Sequence, residues 1–380
     1  MDLEVRAAAP PIPGPATAAT PSPSFADILK YPDIGERFAQ VRRYFFLRES
    51  TYDMTSRCNV RCDGCYYYEG DKQNTQDNVD VEAWHNLFHE EKTRGITFVV
   101  LAGAEPALVP ALLETSFAEI PLGAIASNGL IRIPESVGYR IHISVWGNDA
   151  TSERVRKAKR MLERQMDSYA GDPRAVFVYT FTRENLAETP AVIETLAKHG
   201  CKVTFNMFSS TVGYHGPLAH TAESLAETRR IMLRMLAEFP EQILFSPYSA
   251  AAHTDTLSLH DLFSCPYPRQ NPGQFGLGRS FRQYRSDLTW VREASCCVPD
   301  TDCADCRHYA AGSAIVTARM NRHITSPDQF RGWLDYVDTY LAVWIQGYAK
   351  NPNLGAAPVL PSLARPAASA VAALPQGESR

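Results

Sequence analysis

The sequence predicts an α/β fold: a partial (βα)6 barrel, a small irregular cysteine-rich C-terminal extension and a terminal helix. Three features of the 380 residues point there. Between about 50 and 210, short β-rich runs alternate with stretches of helical periodicity, and that alternation argues for a parallel sheet. Six such runs occur, enough for an open barrel of six units. Past residue 250 the alternation stops, and five of the nine cysteines fall in an irregular stretch there.

Residues 1–24 are dominated by Ala, Pro, Ser and Thr and offer too few large apolar side chains to offset the entropy of ordering, so a disordered tail is expected. Residues 25–49 read as a helical lead-in to a core at 50–250. Within that core Tyr52–Thr55, Phe98–Leu101, Gly123–Ala126, Arg140–Val145, Ala175–Thr182 and Val203–Phe208 read as strands. Val81–Thr93, Thr151–Tyr169 and Asn185–His199 read as helices, the last stopped by Gly200-Cys201. Little room for a helix separates the third strand from the fourth. Glu223–Glu238 reads as a further helix, and 251–325 as the cysteine-rich extension. Ser326 and Gln329 form a capping box for a helix within 326–352, with Phe330, Trp333, Leu334, Val337, Leu341, Trp344, Ile345 and Tyr348 at helical spacing. That stripe needs only a buried face. Residues 353–380, rich in Ala, Pro and Gly, read as a second disordered tail.

Composition excludes several classes of function. At 45% hydrophobic and 21% charged residues the chain can bury a sizeable core, and a formal net charge of −4 gives no footprint for nucleic acid or an anionic membrane surface. No run approaches the roughly 18 apolar residues needed for a membrane span, and no secretory signal is visible, so a cytoplasmic location is expected. In that compartment, closely spaced cysteines suit metal ligation better than disulfides.

The segment Arg57-Cys58-Asn59-Val60-Arg61-Cys62-Asp63-Gly64-Cys65-Tyr66 places three cysteines at CxxxCxxC spacing directly after the first strand. In a parallel αβ barrel the loops leaving the strand C-termini converge on one face, where sites are assembled. Three thiolates in one such loop can hold three irons of a cubane cluster and leave the fourth iron open. Zinc is the competing reading, yet it asks for four ligands, and no fourth stands at zinc-finger spacing, with His85 and His89 the nearest candidates.

This loop resembles the hallmark of the radical S-adenosylmethionine (SAM) superfamily, and the likeness covers about residues 50–210. Ala102-Gly103-Ala104-Glu105-Pro106 is similar to the family's GGEP stretch, with Ala104 in place of one glycine. The resemblance implies that Gly103, Glu105 and the adjoining backbone bind the methionyl amino group of SAM. Ser127-Asn128-Gly129 is similar to the family's T-N-G turn, and Ser144 and Asn206 end strands from which the family contacts SAM. Gly64 stands where the family often has an aromatic residue, and Tyr66, Tyr67 and Tyr68 follow instead. The activity implied is reductive cleavage of SAM at a [4Fe-4S] cluster on Cys58, Cys62 and Cys65. The resulting 5′-deoxyadenosyl radical would take hydrogen from, or add to, a small-molecule, lipid-precursor or peptide substrate, as an oxidoreductase or transferase. A reducing partner such as flavodoxin or ferredoxin is implied with it.

Cys265, Cys296, Cys297, Cys303 and Cys306 form the second group, with Cys303 and Cys306 in a CxxC. Four of the five could complete a second site, with one of Cys296 and Cys297 left over, and an S₄ set is compatible with iron–sulfur or zinc. The resemblance tilts this towards an auxiliary [4Fe-4S] cluster, because the extension resembles a reduced SPASM or twitch region. Cys201 reads as a small buried hydrophobe. Arg279, Arg282 and Arg285 could face an anionic ligand or form a solvated basic surface. Radical methylation with cobalamin is disfavoured, since no DxHxxG loop is present. The remaining alternative is a metal-stabilised binding or scaffold protein that keeps the barrel without cleaving SAM.

Overall fold

A computed structural model describes residues 23–44, 47–69, 75–210, 216–255, 282–290, 302, 305–308 and 326–348. Helices α1 (Phe25–Ile28) and α2 (Pro32–Val41) precede β1 (Glu49–Asp53), and the short α3 (Tyr66–Glu69) follows it. Next come α4 (Val81–Thr93), β2 (Phe98–Ala102), α5 (Pro110–Glu119), β3 (Gly123–Ser127) and β4 (Arg140–Val145). Then follow α6 (Asp149–Arg156), α7 (Met161–Tyr169), β5 (Ala175–Phe181), α8 (Thr189–Lys198), β6 (Val203–Met207), α9 (Ala222–Glu238) and α10 (Pro247–His253). A two-residue β7 (Gln283–Tyr284) and α11 (Pro327–Trp344) complete the described elements. The strands form one open parallel sheet in the order β6-β5-β4-β3-β2-β1-β7.

The expected alternation is present, with local differences that have identifiable causes. β1 lies three residues upstream of Tyr52–Thr55. Thr55 leaves the ladder because its carbonyl accepts from Ala104 N and its hydroxyl donates to Asp77. The helix expected over Thr151–Tyr169 is two, broken where Lys157 and Arg160 take left-handed backbone at φ 57° and 49°. No helix joins β3 to β4. The helix expected from Asn185 starts later because the Asn185 side chain holds a turn, accepting from Thr182 N and donating to Thr180 O and Trp146 O. The terminal helix stops at Trp344, and Ile345 and Tyr348 are buried beyond its end.

A parallel sheet is normally covered on both faces, and here alternate residues of β2, β3 and β5 feed two different cores. Tyr52, Leu101, Ile125, Ile143, Phe177 and Phe205 pack with Trp84 and Phe88 of α4, Leu113 of α5, Ile193 of α8 and Met232 of α9. Phe98, Ala124 and Val176, on the opposite face, pack with Trp333, Leu341 and Trp344 of α11 and with Phe38 of α2. Helix α11 thus covers the lower part of the face that the outer helices leave open. It crosses α10 at Gly332, where a Cβ would meet the Tyr248 ring at 2.3 Å. Ion pairs Arg37–Asp335 (2.6 Å) and Arg331–Asp33 (2.7 Å) tie it to α2. Cys201 is buried, as its sequence context predicts. The Arg282 side chain, 32% exposed, reaches Glu91 at 3.4 Å, bonds Tyr284 at 3.0 Å and lies over Trp290.

The C-terminus of α11 leaves carbonyls that need donors, and β4 supplies them. Arg140 Nη2 donates to Ala342 O at 2.6 Å, and His142 Nε2 bonds Val343 O at 2.9 Å. Burial pushes the His142 imidazole down to about 4, with the Arg140 charge acting in the same direction and the Val343 bond opposing it. The unfolded chain titrates near 6.5, so below that pH it takes up a proton that the folded chain refuses. Stability should therefore be intact above about pH 6.5 and fall as pH drops towards 4, by up to about 3 kcal/mol from this group. In urea unfolding across that range His142→Gln, which keeps an N–H for Val343, should show a shallower fall than the parent. An identical slope would contradict the assignment.

Candidate functional site

The C-terminal ends of β1, β2, β3 and β4 bring most of the sequence-predicted residues together. The loop after β1 is held from below by Asp77, which accepts from the Thr55 hydroxyl, from Ser56 N at 2.6 Å and from Arg57 Nε at 3.3 Å. Cys58, Cys62 and Cys65 follow, each partly buried. Gly103 lets the β2 loop cross this one closely: its φ is +114°, and a Cβ there would lie 2.9 Å from both Met54 N and Thr55 O. Any other residue would push the two loops apart.

Glu105 is 1% exposed and joins the β2 loop to the β3 loop. Its carboxylate accepts from Ala107 N (3.0 Å), the Ser127 hydroxyl (2.8 Å) and Asn128 N (2.7 Å). Burial raises its pKa, while these donors and the Arg156 charge oppose the rise. A carboxylate offers about four lone-pair positions, so three are taken by the chain itself. Asn128 then reaches back to the cysteine loop, its Nδ2 donating to Cys58 Sγ at 3.7 Å and to Asn59 Oδ1 at 2.6 Å.

A second line of contacts runs from Cys62. Arg156, the last residue of α6, donates from Nε to Cys62 Sγ at 3.4 Å and from Nη1 to Ser144 O. Gln165 of α7 donates to both Ser144 O (2.9 Å) and Asn128 O (2.7 Å), so one buried amide ties β3 to β4. The Ser144 side chain lies on the sheet face shared with His142, as does Asn206, whose Nδ2 donates to Thr180 Oγ1 at 3.1 Å. Asn206 is two strands from Ser144, about 10 Å at ordinary strand spacing, so it belongs to the far side of the same face.

The thiols sit in a shielded but polar setting. Val60, Ala158 and Met161 form a small apolar cluster against Cys58 and Cys62. Burial pushes the Cys58 thiol up, and pushes Cys65 up to about 11; neighbouring thiols add to each rise, while bonds from Val60 and Asn128 oppose it at Cys58 and bonds from Tyr67 and Tyr68 oppose it at Cys65. Burial likewise raises Tyr68 to about 12, with Cys58 beside it, and Arg61 lies 3.9 Å over its ring. Among the described residues, no three His, Cys, Asp or Glu side chains converge as the ligands of one metal ion would. A cubane sets a different requirement, since its thiolates bind separate irons. Three soft sulfur donors on one glycine-containing loop, with N–H donors aimed at them, fit that group. Asp77, Arg156 and Gln165 were not singled out by sequence reading. Each lies far from the CxxxCxxC in sequence or serves it through backbone and sulfur contacts that no short motif records.

Of the second cysteine group, Cys265, Cys296, Cys297 and Cys303 lie outside the described residues. Cys306 is partly buried in a segment fixed beside the loop after β6: Arg307 N donates to Ser209 Oγ and Asp302 N to Ser210 O, both at 2.9 Å. His253 of α10 bonds Arg307 O at 2.9 Å. Described parts of the extension therefore lie at both ends of the sheet: β7 pairs with β1, and Asp302 and Arg307 bond Ser210 and Ser209 in the loop after β6.

No protein-family model and no curated protein matches the chain. Among solved structures it is similar to Streptococcus suis SuiB bound to the precursor peptide SuiA, with a TM-score of 0.46 and 11% identity over 66% of this chain and 61% of that one. It is similar also to anSMEcpe with bound AdoMet (TM-score 0.41, 14% identity, 50% of this chain and 60% of that one) and to methylornithine synthase, PylB (0.38, 13%, 57% and 73%). The chain spans about three fifths of the length of SuiB.

The Glu105 bonds can be tested without any cofactor. Glu105→Gln sets an amide N–H₂ against groups that are themselves donors, which should lower the unfolding free energy by roughly 1–3 kcal/mol. Urea curves of the full chain measure it, and a variant as stable as the parent would show that the carboxylate is not so engaged.

Proposed function

We propose that this chain is a radical SAM enzyme: it holds a [4Fe-4S] cluster on Cys58, Cys62 and Cys65 and cleaves SAM reductively to act on a small-molecule, lipid-precursor or peptide substrate. The observation that carries the reading is the contact of Asn128 with Cys58, which joins the cysteine loop to the Glu105-centred β2 and β3 loops at the strand C-termini. Bound there, the cluster would supply one electron to the sulfonium of SAM, breaking its S–C5′ bond to give methionine and a 5′-deoxyadenosyl radical. The remaining work falls to the chain. Glu105, locked by three donors, fixes the backbone from Gly103 to Pro106, where the methionyl amino group would bind. Ser144 and Asn206 mark the face along which the rest of SAM and the substrate would lie, with exposed Ala126 on β3 at the other side of Ser144. Small side chains there leave room for a ligand, and α11 closes the space below it, which keeps water from a reactive species.

Cys306, held beside β6, supports assigning the extension a second, auxiliary [4Fe-4S] cluster with ligands among Cys265, Cys296, Cys297 and Cys303. Reduction by a flavodoxin or ferredoxin, and a cytoplasmic location, belong to the same reading. No described helix is long and apolar enough to cross a membrane.

The test is anaerobic reconstitution with iron and sulfide, reduction with dithionite, addition of SAM, and mass spectrometry for 5′-deoxyadenosine. The parent should form it and the triple Cys58→Ala, Cys62→Ala, Cys65→Ala variant should not, while still retaining about four irons in the extension, the content of one cubane. Product from the triple variant would overturn the cysteine assignment, and zinc alone in that variant would overturn the auxiliary cluster. Iron on the loop with no SAM cleavage under any substrate would favour the binding-protein alternative.

A further inference from the structure

Resting on that reading of the cysteine loop, we propose that Arg156 is a built-in counter-cation for the cluster, and that it raises the potential at which the cluster accepts an electron. Arg156 is 4% exposed. A guanidinium stays charged in proteins, and burying one without an anion is costly. Yet among the described residues no carboxylate stands within ion-pair distance of Arg156. Its Nη1 is spent on the Ser144 carbonyl, and its Nε is aimed at Cys62 Sγ at 3.4 Å. Glu105 feels the charge but is already engaged by Ala107, Ser127 and Asn128. The missing anion is the thiolate and the cluster it would carry.

The placement does not depend on the guanidinium finding sulfur unaided. Asp63 N donates to Val155 O at 2.8 Å, and Lys157 Nζ bonds Asp63 Oδ2 at 2.7 Å, so the end of α6 is pinned to the cysteine loop on either side of Arg156. Val60 packing with Ala158 and Met161 closes the same junction. Lys157 turns left-handed at φ 57°, ending the helix so that Arg156 is its last residue. Asn128 gives Cys58 a neutral donor, whereas Arg156 gives Cys62 a donor with a full positive charge.

Reduction brings in one electron from an external reductant, with no bond made or broken, and so adds one negative charge beside the guanidinium. Hydrogen bonds to the sulfurs and nearby charge both set iron–sulfur potentials, and a buried cation favours the more negative state. Arg156 acts through the ligand Cys62 and is a positioning and tuning residue.

The experiment compares full-length parent, Arg156→Gln and Arg156→Lys, each reconstituted anaerobically and, without SAM, titrated with dithionite under electron paramagnetic resonance, alongside iron counts and SAM binding. The Gln variant should keep its iron and show a more negative midpoint. At a fixed potential its ratio of reduced to oxidised cluster should fall roughly tenfold, which is about 59 mV for one electron. The Lys variant, keeping the charge and losing the Nε–Sγ bond, should lie between. If the Gln variant holds no iron, the uncharged Arg156→Met decides in its place: a midpoint below the parent's supports the proposal, and an equal midpoint overturns it. Unchanged midpoints, or a defect confined to SAM binding, would overturn it too. A parent that binds no iron on Cys58, Cys62 and Cys65 would instead sink the underlying reading of the loop.

Discussion

Both faces of a parallel sheet must be covered, and much of this molecule follows from how the second face is divided. The outer face takes the helices that connect the strands, as connectivity requires. The other face has no connecting helix to cover it, and the chain brings α11 from far along the sequence to do so. Trp344 meets Phe98 and His142, and the last carbonyls of α11 are taken by Arg140 and His142. The lower half of the face is thereby filled. The upper half, at Ala126, Ser144 and Asn206, keeps small or polar side chains.

What could be read from the sequence follows from how local the determining physics is. β4 and α4 match their expected bounds because strong apolar patterning and, for α4, the Asp80 cap lie within the segments themselves. β1 was placed late because Thr55 has every local mark of a strand residue, yet it is drawn out of the ladder by Asp77, 22 positions away. The break between α6 and α7 arises where Lys157 and Arg160 turn left-handed, which neither residue type announces. Two-residue β7 is too short to carry a pattern of its own and exists because Tyr284 stacks on Tyr52 and bonds Glu91.

The candidate site shows the same division. Cys58, Cys62 and Cys65 were legible because their spacing within one loop is itself the chemical signal, and Gly103 and Glu105 because the turn after β2 is compact. Asn128 was legible as a turn residue, though its link to Cys58 crosses 70 positions and only the fold reveals it. Arg156 and Gln165 carried no local signal at all. Their side chains are ordinary helix residues until α6 and α7 are folded over the loops that they serve.

Charge sets the character of this cluster of loops. Elsewhere Glu91 is matched by Arg94 and Arg282, and Asp172 by Arg174, whereas buried Arg140 is met by carbonyls and the Gln346 amide. At the site the matching is incomplete. Glu105 is satisfied by neutral donors, and Arg156 by a carbonyl and a sulfur. Burying a charge without its counter-charge is costly, so a group that supplies the missing charge stabilises such a site. Three thiols that lose their protons when they bind metal would supply it at the right place, so the electrostatics and the cysteine spacing lead independently to the same loop.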